Sequence, residues 1–226
     1  MMLQIQQRLF QVCSELHAII APPRCTGCTS LLVERAVLCT PCNQSIQPVV
    51  SLSLSITQRS VISVYAVGAY RDILRRLICA KHTGNQLAGT YLGDLVWYRT
   101  PLAQLECDYI IPVPLHWTRR FVRGFNQTDG MAQALSRKSG KPVAHLLQRT
   151  KRTAFQTSLS ASDRQQNLTD AFVLSSSALR DSRYAGKHLV LVDDLMTTGA
   201  TLRIACQQLL KLKPASIVCV VAARTV

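Results

Sequence analysis

The chain has 226 residues, 48% hydrophobic and 17% charged, enough apolar content for one large domain with a real core plus a small module. Lysine and arginine number 26 against 12 acidic residues, a formal charge of +14; this suits a polyanionic partner, nucleic acid first, or arginines that serve a phosphorylated small ligand. The apolar runs are too short to cross a bilayer and the first twenty residues carry no cleavage-like ending, so the expectation is a cytoplasmic protein with no membrane insertion.

Residues 3–20 carry apolar side chains at mixed helical spacings, and an amphipathic helix ending at Pro22-Pro23 is expected there. Cys25-Thr-Gly-Cys28 and Cys39-Thr-Pro-Cys42 follow. Two C-x2-C turns can aim four thiolates at one centre, the arrangement that tetrahedral Zn²⁺ takes, and four protein ligands close the site to chemistry. A structural zinc on Cys25, Cys28, Cys39 and Cys42 is expected, its binding supplying folding energy that so short a segment lacks. The other five cysteines, Cys13, Cys79, Cys107, Cys206 and Cys219, lie in apolar segments and read as buried small hydrophobes. A polar, serine-rich connector over 43–60 suggests two parts: a helix and zinc module over 1–54 and a larger domain over 55–226.

Within the larger part, strands are expected at 61–66, 108–114, 143–147, 189–192 and 217–222. Helices are expected at 70–82, 85–99, 125–138 and 200–212. Strands alternating with helices imply an α/β fold, a mostly parallel twisted sheet flanked by helices.

Residues 189–201 read LVLVDDLMTTGAT. The apolar start is a buried parallel strand, and Asp193 and Asp194 stand at its carboxyl end, where open α/β sheets bind ligands. Thr197, Thr198, Gly199, Ala200 and Thr201 then offer amides and hydroxyls at a helix N-terminus, which suits a phosphate. The two carboxylates can grip ribose hydroxyls, directly or through a metal. An ordinary capped strand–helix junction is the bland alternative. The segment resembles the phosphoribosyl-pyrophosphate (PRPP) motif of type I phosphoribosyltransferases, which implies Mg²⁺ with PRPP and makes Asp193 and Asp194 the catalytic candidates.

The turn 111–116 ends a strand at the same edge, so Pro114, Leu115 and His116 can present groups to a diphosphate; a proline-stiffened turn is the alternative. Arg119, Arg120 and Arg123 follow, with Phe125 available to stack on a base and Asn126 and Gln127 able to hydrogen-bond one. The alternative there is a solvated basic face with Phe125 in the core. The polar stretch 148–167 adds Arg149, Lys151, Arg152 and Arg164, and long polar loops in compact domains are often binding loops. Together these arginines, lysine and phenylalanine form a candidate surface for single-stranded DNA.

The order of these motifs resembles the ComF family (competence protein F, GntX-like). It runs from the cysteine pairs through Tyr70, Lys81 and Gly84, then Pro112-Val-Pro-Leu-His116, Arg123-Gly-Phe-Asn-Gln127, the Asp-Asp motif and Ala223-Arg224-Thr225. The resemblance implies a type I phosphoribosyltransferase fold with a zinc finger. It also implies a cytosolic role in natural transformation on incoming single-stranded DNA, beside a helicase-like ATPase. A metabolic base-salvage phosphoribosyltransferase and a non-catalytic nucleotide-binding scaffold remain alternatives, and whether the site is enzymatic is left open.

Overall fold

A computed structural model describes residues 24–32, 37–49, 51–58, 60–79, 86–114, 126–149 and 172–226. The expected helix over 3–20 lies outside them. The chain divides into two compact units, Met1–Ser45 and Ile46–Val226.

The first unit contains the cysteine pairs and a short helix, α1 (Thr40–Gln44). Arg24 and Leu31 bridge antiparallel around the first pair. Pro41 stands in the first turn of α1, where a missing N–H costs nothing.

The second unit is a five-stranded sheet in the order β1-β2-β7-β6-β3. These strands are β1 (Leu52–Thr57), β2 (Ser60–Ala69), β3 (Tyr109–Pro112), β6 (His188–Met196) and β7 (Ser216–Arg224). The β2–β7, β7–β6 and β6–β3 pairs are parallel; β1 joins β2 antiparallel at the edge. The mostly parallel sheet expected from the sequence is therefore present. β1 was not expected: it lies in the serine-rich connector, and the expected division at 54/55 falls inside it. Leu54 and Ile56 point into the core while Ser53, Ser55 and Thr57 stay outside, the two-residue alternation of an edge strand with one wet face.

Helices α2 (Asp72–Cys79), α3 (Gln86–Arg99) and α4 (Gln127–Ser139) occupy the β2–β3 and β3–β6 connections. α3 packs closely on α4. A Cβ added at Gly93 would stand 2.6 Å from the Met131 carbonyl oxygen, so glycine is what allows this approach. α2 is shorter than the expected 70–82, and 80–85 lie outside the described residues. Of the expected strand 143–147, Val143 makes a single parallel bridge to Ile110. The strand proper is β4 (Leu147–Arg149), paired with β5 (Phe172–Leu174) in a two-stranded antiparallel sheet.

The main core runs from β1 through β6 and β7 to α6 (Ala200–Leu210), the helix that follows the one-turn α5 (Ser176–Leu179), and to the β4–β5 pair. Leu54, Val64, Ile111, Leu191, Leu202, Phe172 and Cys219 belong to it. Cys206 and Cys219 are fully buried there, their sulfurs 3.5 Å apart. Cys79, the last residue of α2, is instead exposed, and Cys107, in the connection leading to β3, is half-buried; Cys13 lies outside the described residues. No helix among the described residues is long and apolar enough to cross a membrane.

Candidate ligand site and metal centre

The carboxyl edge of the sheet is stepped. β3 pairs with β6 only as far as Pro112 opposite Val192, with one more rung from the Val113 N–H to the Val192 carbonyl at 2.9 Å. β6 does not stop at Val192, as the apolar run suggested. It continues through both aspartates to Met196, held on its other side by β7 as far as Arg224. Beyond Val192, therefore, β6 has a strand neighbour on one side only among the described residues, and the aspartates stand where β3 has left. The Asp194 N–H is taken by Asp193 Oδ1 at 2.9 Å. Asp193 is buried and Asp194 half-buried.

The chain then turns through Thr197, Thr198 and Gly199 into α6. Thr197 and Thr198 are exposed, Ala200 and Thr201 half-buried. Gly199 occupies the N-cap position in the left-handed region (φ 76°), and no side chain caps the helix. An uncapped N-terminus leaves first-turn amides pointing outward, where the helix dipole favours an anion. A Cβ at Gly199 would point at Met196 Cε (2.8 Å) and Leu54 Cδ1 (3.0 Å). A side chain at this position would therefore face the core beneath the loop. Thr225, not singled out from the sequence as a separate residue, ties the loop down. Its N–H donates to the Met196 carbonyl at 2.9 Å and its Oγ1 to the Thr197 carbonyl at 3.4 Å.

Pro114 stands just past the end of β3, and the start of α4 fixes that exit. Thr128 Oγ1 donates to the Val113 carbonyl at 2.7 Å and Asn126 Nδ2 donates to the same oxygen at 3.5 Å. Gln127 Nε2 donates to the Leu77 carbonyl at 3.4 Å. All three residues are buried. Asn126 and Gln127 therefore hold backbone, and the expectation that they read a base does not survive. Polar residues beside a helix start can serve the protein's own buried carbonyls as readily as a ligand, and their sequence does not distinguish the two. Leu115, His116, Arg119, Arg120, Arg123, Phe125, Lys151, Arg152 and Arg164 lie outside the described residues. Arg149 is in β4, half-buried, its guanidinium 5.4 Å above the Phe172 ring.

In the first unit the four sulfurs of Cys25, Cys28, Cys39 and Cys42 all lie within 4.8 Å of one another, Cys28 and Cys39 at 3.6 Å. Four sulfurs at about 2.3 Å from one tetrahedral zinc would be about 3.8 Å apart, so the cluster fits the ion. Around Cys25, burial raises the pKa but is outweighed by hydrogen bonds from the Cys39, Cys28 and Gly27 amides, which bring the thiol to about 6. Cys42 is pushed up to about 12, first by its neighbour Cys39. Four thiols in so small a volume cannot all ionise unless a cation joins them.

A mostly parallel sheet with an acidic pair and an uncapped loop at its carboxyl edge defines a phosphoribosyltransferase-type domain, and residues 129–225 match the phosphoribosyl transferase domain family. The chain is 43% identical over 106 residues to competence protein F of Haemophilus influenzae, covering 46% of this chain and 45% of that protein. It is 41% identical over 114 residues to the DNA utilization protein YhgH of Escherichia coli K12, covering 50% and 47%. It is 32% identical over 105 residues to competence protein ComFC of Bacillus subtilis, covering 45% and 38%. The matches span about half the length of these relatives or less. These matches support a ComF-family, phosphoribosyltransferase-like protein.

Proposed function

We propose that the larger unit binds PRPP with Mg²⁺ at the step in the sheet, and that the chain serves DNA uptake by acting on incoming single-stranded DNA. The observation that carries the ligand reading is the pairing of two carboxylates on an edge vacated by β3 with an uncapped helix N-terminus that begins at Gly199, five residues after Asp194. In this reading Thr197, Thr198, Gly199, Ala200 and Thr201 hold the 5-phosphate through amides and hydroxyls. Asp193 and Asp194 hold the ribose hydroxyls or the metal, and Pro114, Leu115 and His116 face the diphosphate. Mg²⁺ would neutralise charge on the diphosphate as it leaves.

The DNA reading draws on two things: relatives named for competence and DNA utilization, and a charge of +14, which a small-molecule cleft does not need. Arg119, Arg120, Arg123, Arg149, Lys151, Arg152 and Arg164 contact phosphates, and Phe125 stacks on a base. A helicase-like ATPase is the expected protein partner.

Isothermal titration with PRPP and Mg²⁺ tests the site. The parent should bind one equivalent, and Asp193→Asn with Asp194→Asn should weaken binding at least about tenfold, the loss of one charge-assisted contact or more. Unchanged affinity in the double variant refutes the assignment. Anisotropy of a labelled single strand, repeated across salt, tests the DNA reading: no binding at physiological salt refutes it for this chain.

A further inference from the structure

The carboxyl edge of the sheet continues past the aspartates to a corner that the ribose reading does not use. β7 ends at Arg224, in register with Met196 of β6 on one side and Ala69 of β2 on the other. Tyr70, the residue after β2, donates its N–H to the Arg224 carbonyl at 2.7 Å, and α2 starts two residues later. Neighbouring strands lie about 4.8 Å apart, so the backbone of Arg224 stands about 5 Å, and that of Tyr70 about 10 Å, from the strand that carries Asp193 and Asp194.

This corner is basic. α2 buries Leu74, Leu77 and Ile78 and leaves Arg75 and Arg76 exposed, with Arg71 exposed just before it. Asp72 is the single acid over residues 70–79, against those three arginines. Among the described residues Arg71, Arg75 and Arg224 form no ion pair. Their partners are neutral: Arg71 Nη2 donates to Gln47 Oε1, and the Arg75 guanidinium lies at the Tyr70 hydroxyl, itself 3.5 Å from Cys79 Sγ. Such partners orient a guanidinium and leave its charge in place. Arg224 is half-buried, and its Nε is inaccessible with no hydrogen-bond partner among the described residues. A desolvated donor left unpaired carries a cost, which an oxyanion at the strand end would recover as the guanidinium turns to meet it. Three guanidiniums spread from the helix to the strand end suit a chain of phosphates better than one compact anion.

We propose that Arg71, Arg75 and Arg224 form a docking track for the phosphates of single-stranded DNA, placed beside the ribose site. The proposal rests on the DNA reading above and assigns to it a surface and residues which that reading does not contain, Arg71, Arg75 and Arg224. The contacts are to phosphates, so binding along this track is independent of base sequence and falls with salt.

Fluorescence anisotropy of a labelled oligothymidine with the full chain, repeated across salt, tests this. Arg71→Gln with Arg75→Gln should flatten the salt slope by about 1.4, from about 0.7 per phosphate, and Arg224→Gln by about 0.7. Arg71→Lys with Arg75→Lys keeps the charge and should keep the slope. Lys211→Gln with Lys213→Gln removes two exposed cations just after α6, at the opposite edge of the sheet, and should leave the slope at the parent's value. Circular dichroism should be the same for all of these chains, since Arg71, Arg75, Lys211 and Lys213 are exposed. If the parent does not bind, the DNA reading and this proposal fall together. If the parent binds while the glutamine variants at 71 and 75 keep its slope, or the change at 211 and 213 flattens it as much, the DNA reading stands and this corner is not its track.

Discussion

Replacing Gly199 by alanine isolates the local physics of the phosphate-type loop. Two penalties apply. The left-handed backbone (φ 76°) costs a residue with a Cβ about 1–2 kcal/mol. The new methyl would also meet Met196 Cε at 2.8 Å and Leu54 Cδ1 at 3.0 Å, contacts no settled core contains. Pushing those side chains aside costs about 1–3 kcal/mol, toward the lower end because the methionine terminus can swing. The expected total is about 2–4 kcal/mol. Gly140 supplies the control. It has nearly the same φ, 70°, but no atom within 4 Å of its would-be Cβ, so Gly140→Ala incurs the backbone term alone. Urea unfolding followed by tryptophan fluorescence reads this directly, since Trp97 is in the same unit, Ile46–Val226. Gly199→Ala should lose at least about 1 kcal/mol more than Gly140→Ala. Equal losses would refute the claim that the glycine is packed against Met196 and Leu54.

Zinc analysis of chain purified without chelator should give one equivalent, and Cys28→Ser should bring it below half an equivalent by removing one of four thiolates. Thr128→Val should cost about 1–3 kcal/mol, because the Val113 carbonyl loses its 2.7 Å donor and keeps only the longer contact from Asn126; urea unfolding checks it. The His188 N–H holds the Asp108 carboxylate below its ordinary pKa. A folded pKa below the unfolded value of about 3.9 gives stabilisation that is present above that value and lost as pH falls through the folded one. The stability gap between parent and Asp108→Asn should thus be open at pH 6 and shrink as pH falls below about 4. If Lys151 and Arg152 touch DNA phosphates, neutralising both should flatten the salt slope for a single strand by about 1.4, from about 0.7 per phosphate.

How much of this was legible beforehand depended on whether a residue's partners were near in sequence. The strand–Asp-Asp–Thr-Thr-Gly run declared itself because every part of it is local: an apolar strand, a breaker and a helix start follow in thirteen residues. The four cysteines did so for the same reason. β1 was missed because its signal, three apolar residues alternating with serines, is short and sits in a composition that reads as linker; β2 decides that it is a strand. The length of β6 beyond Val192 is set by β7, not by its own residues. Asn126 and Gln127 were misread because their partners, Val113 and Leu77, are 13 and 50 residues away. A polar side chain does not announce whether it will meet a ligand or a distant carbonyl.

The step at the edge of the sheet makes the two aspartates unequal partners in stability. Asp193 fills, with its own Oδ1, the rung that β3 no longer supplies to the Asp194 amide. It therefore acts as a one-residue edge guard, keeping an open strand from offering that amide to another chain. The Asp194 amide should then exchange with solvent more slowly than an unpaired edge would allow. Asparagine at 193 keeps an acceptor there and preserves the protection, whereas alanine exposes the amide and loosens the strand end. At 194 no such distinction should arise. Exchange rates at this one amide would thus separate what Asp193 does for the fold from what it does for a ligand.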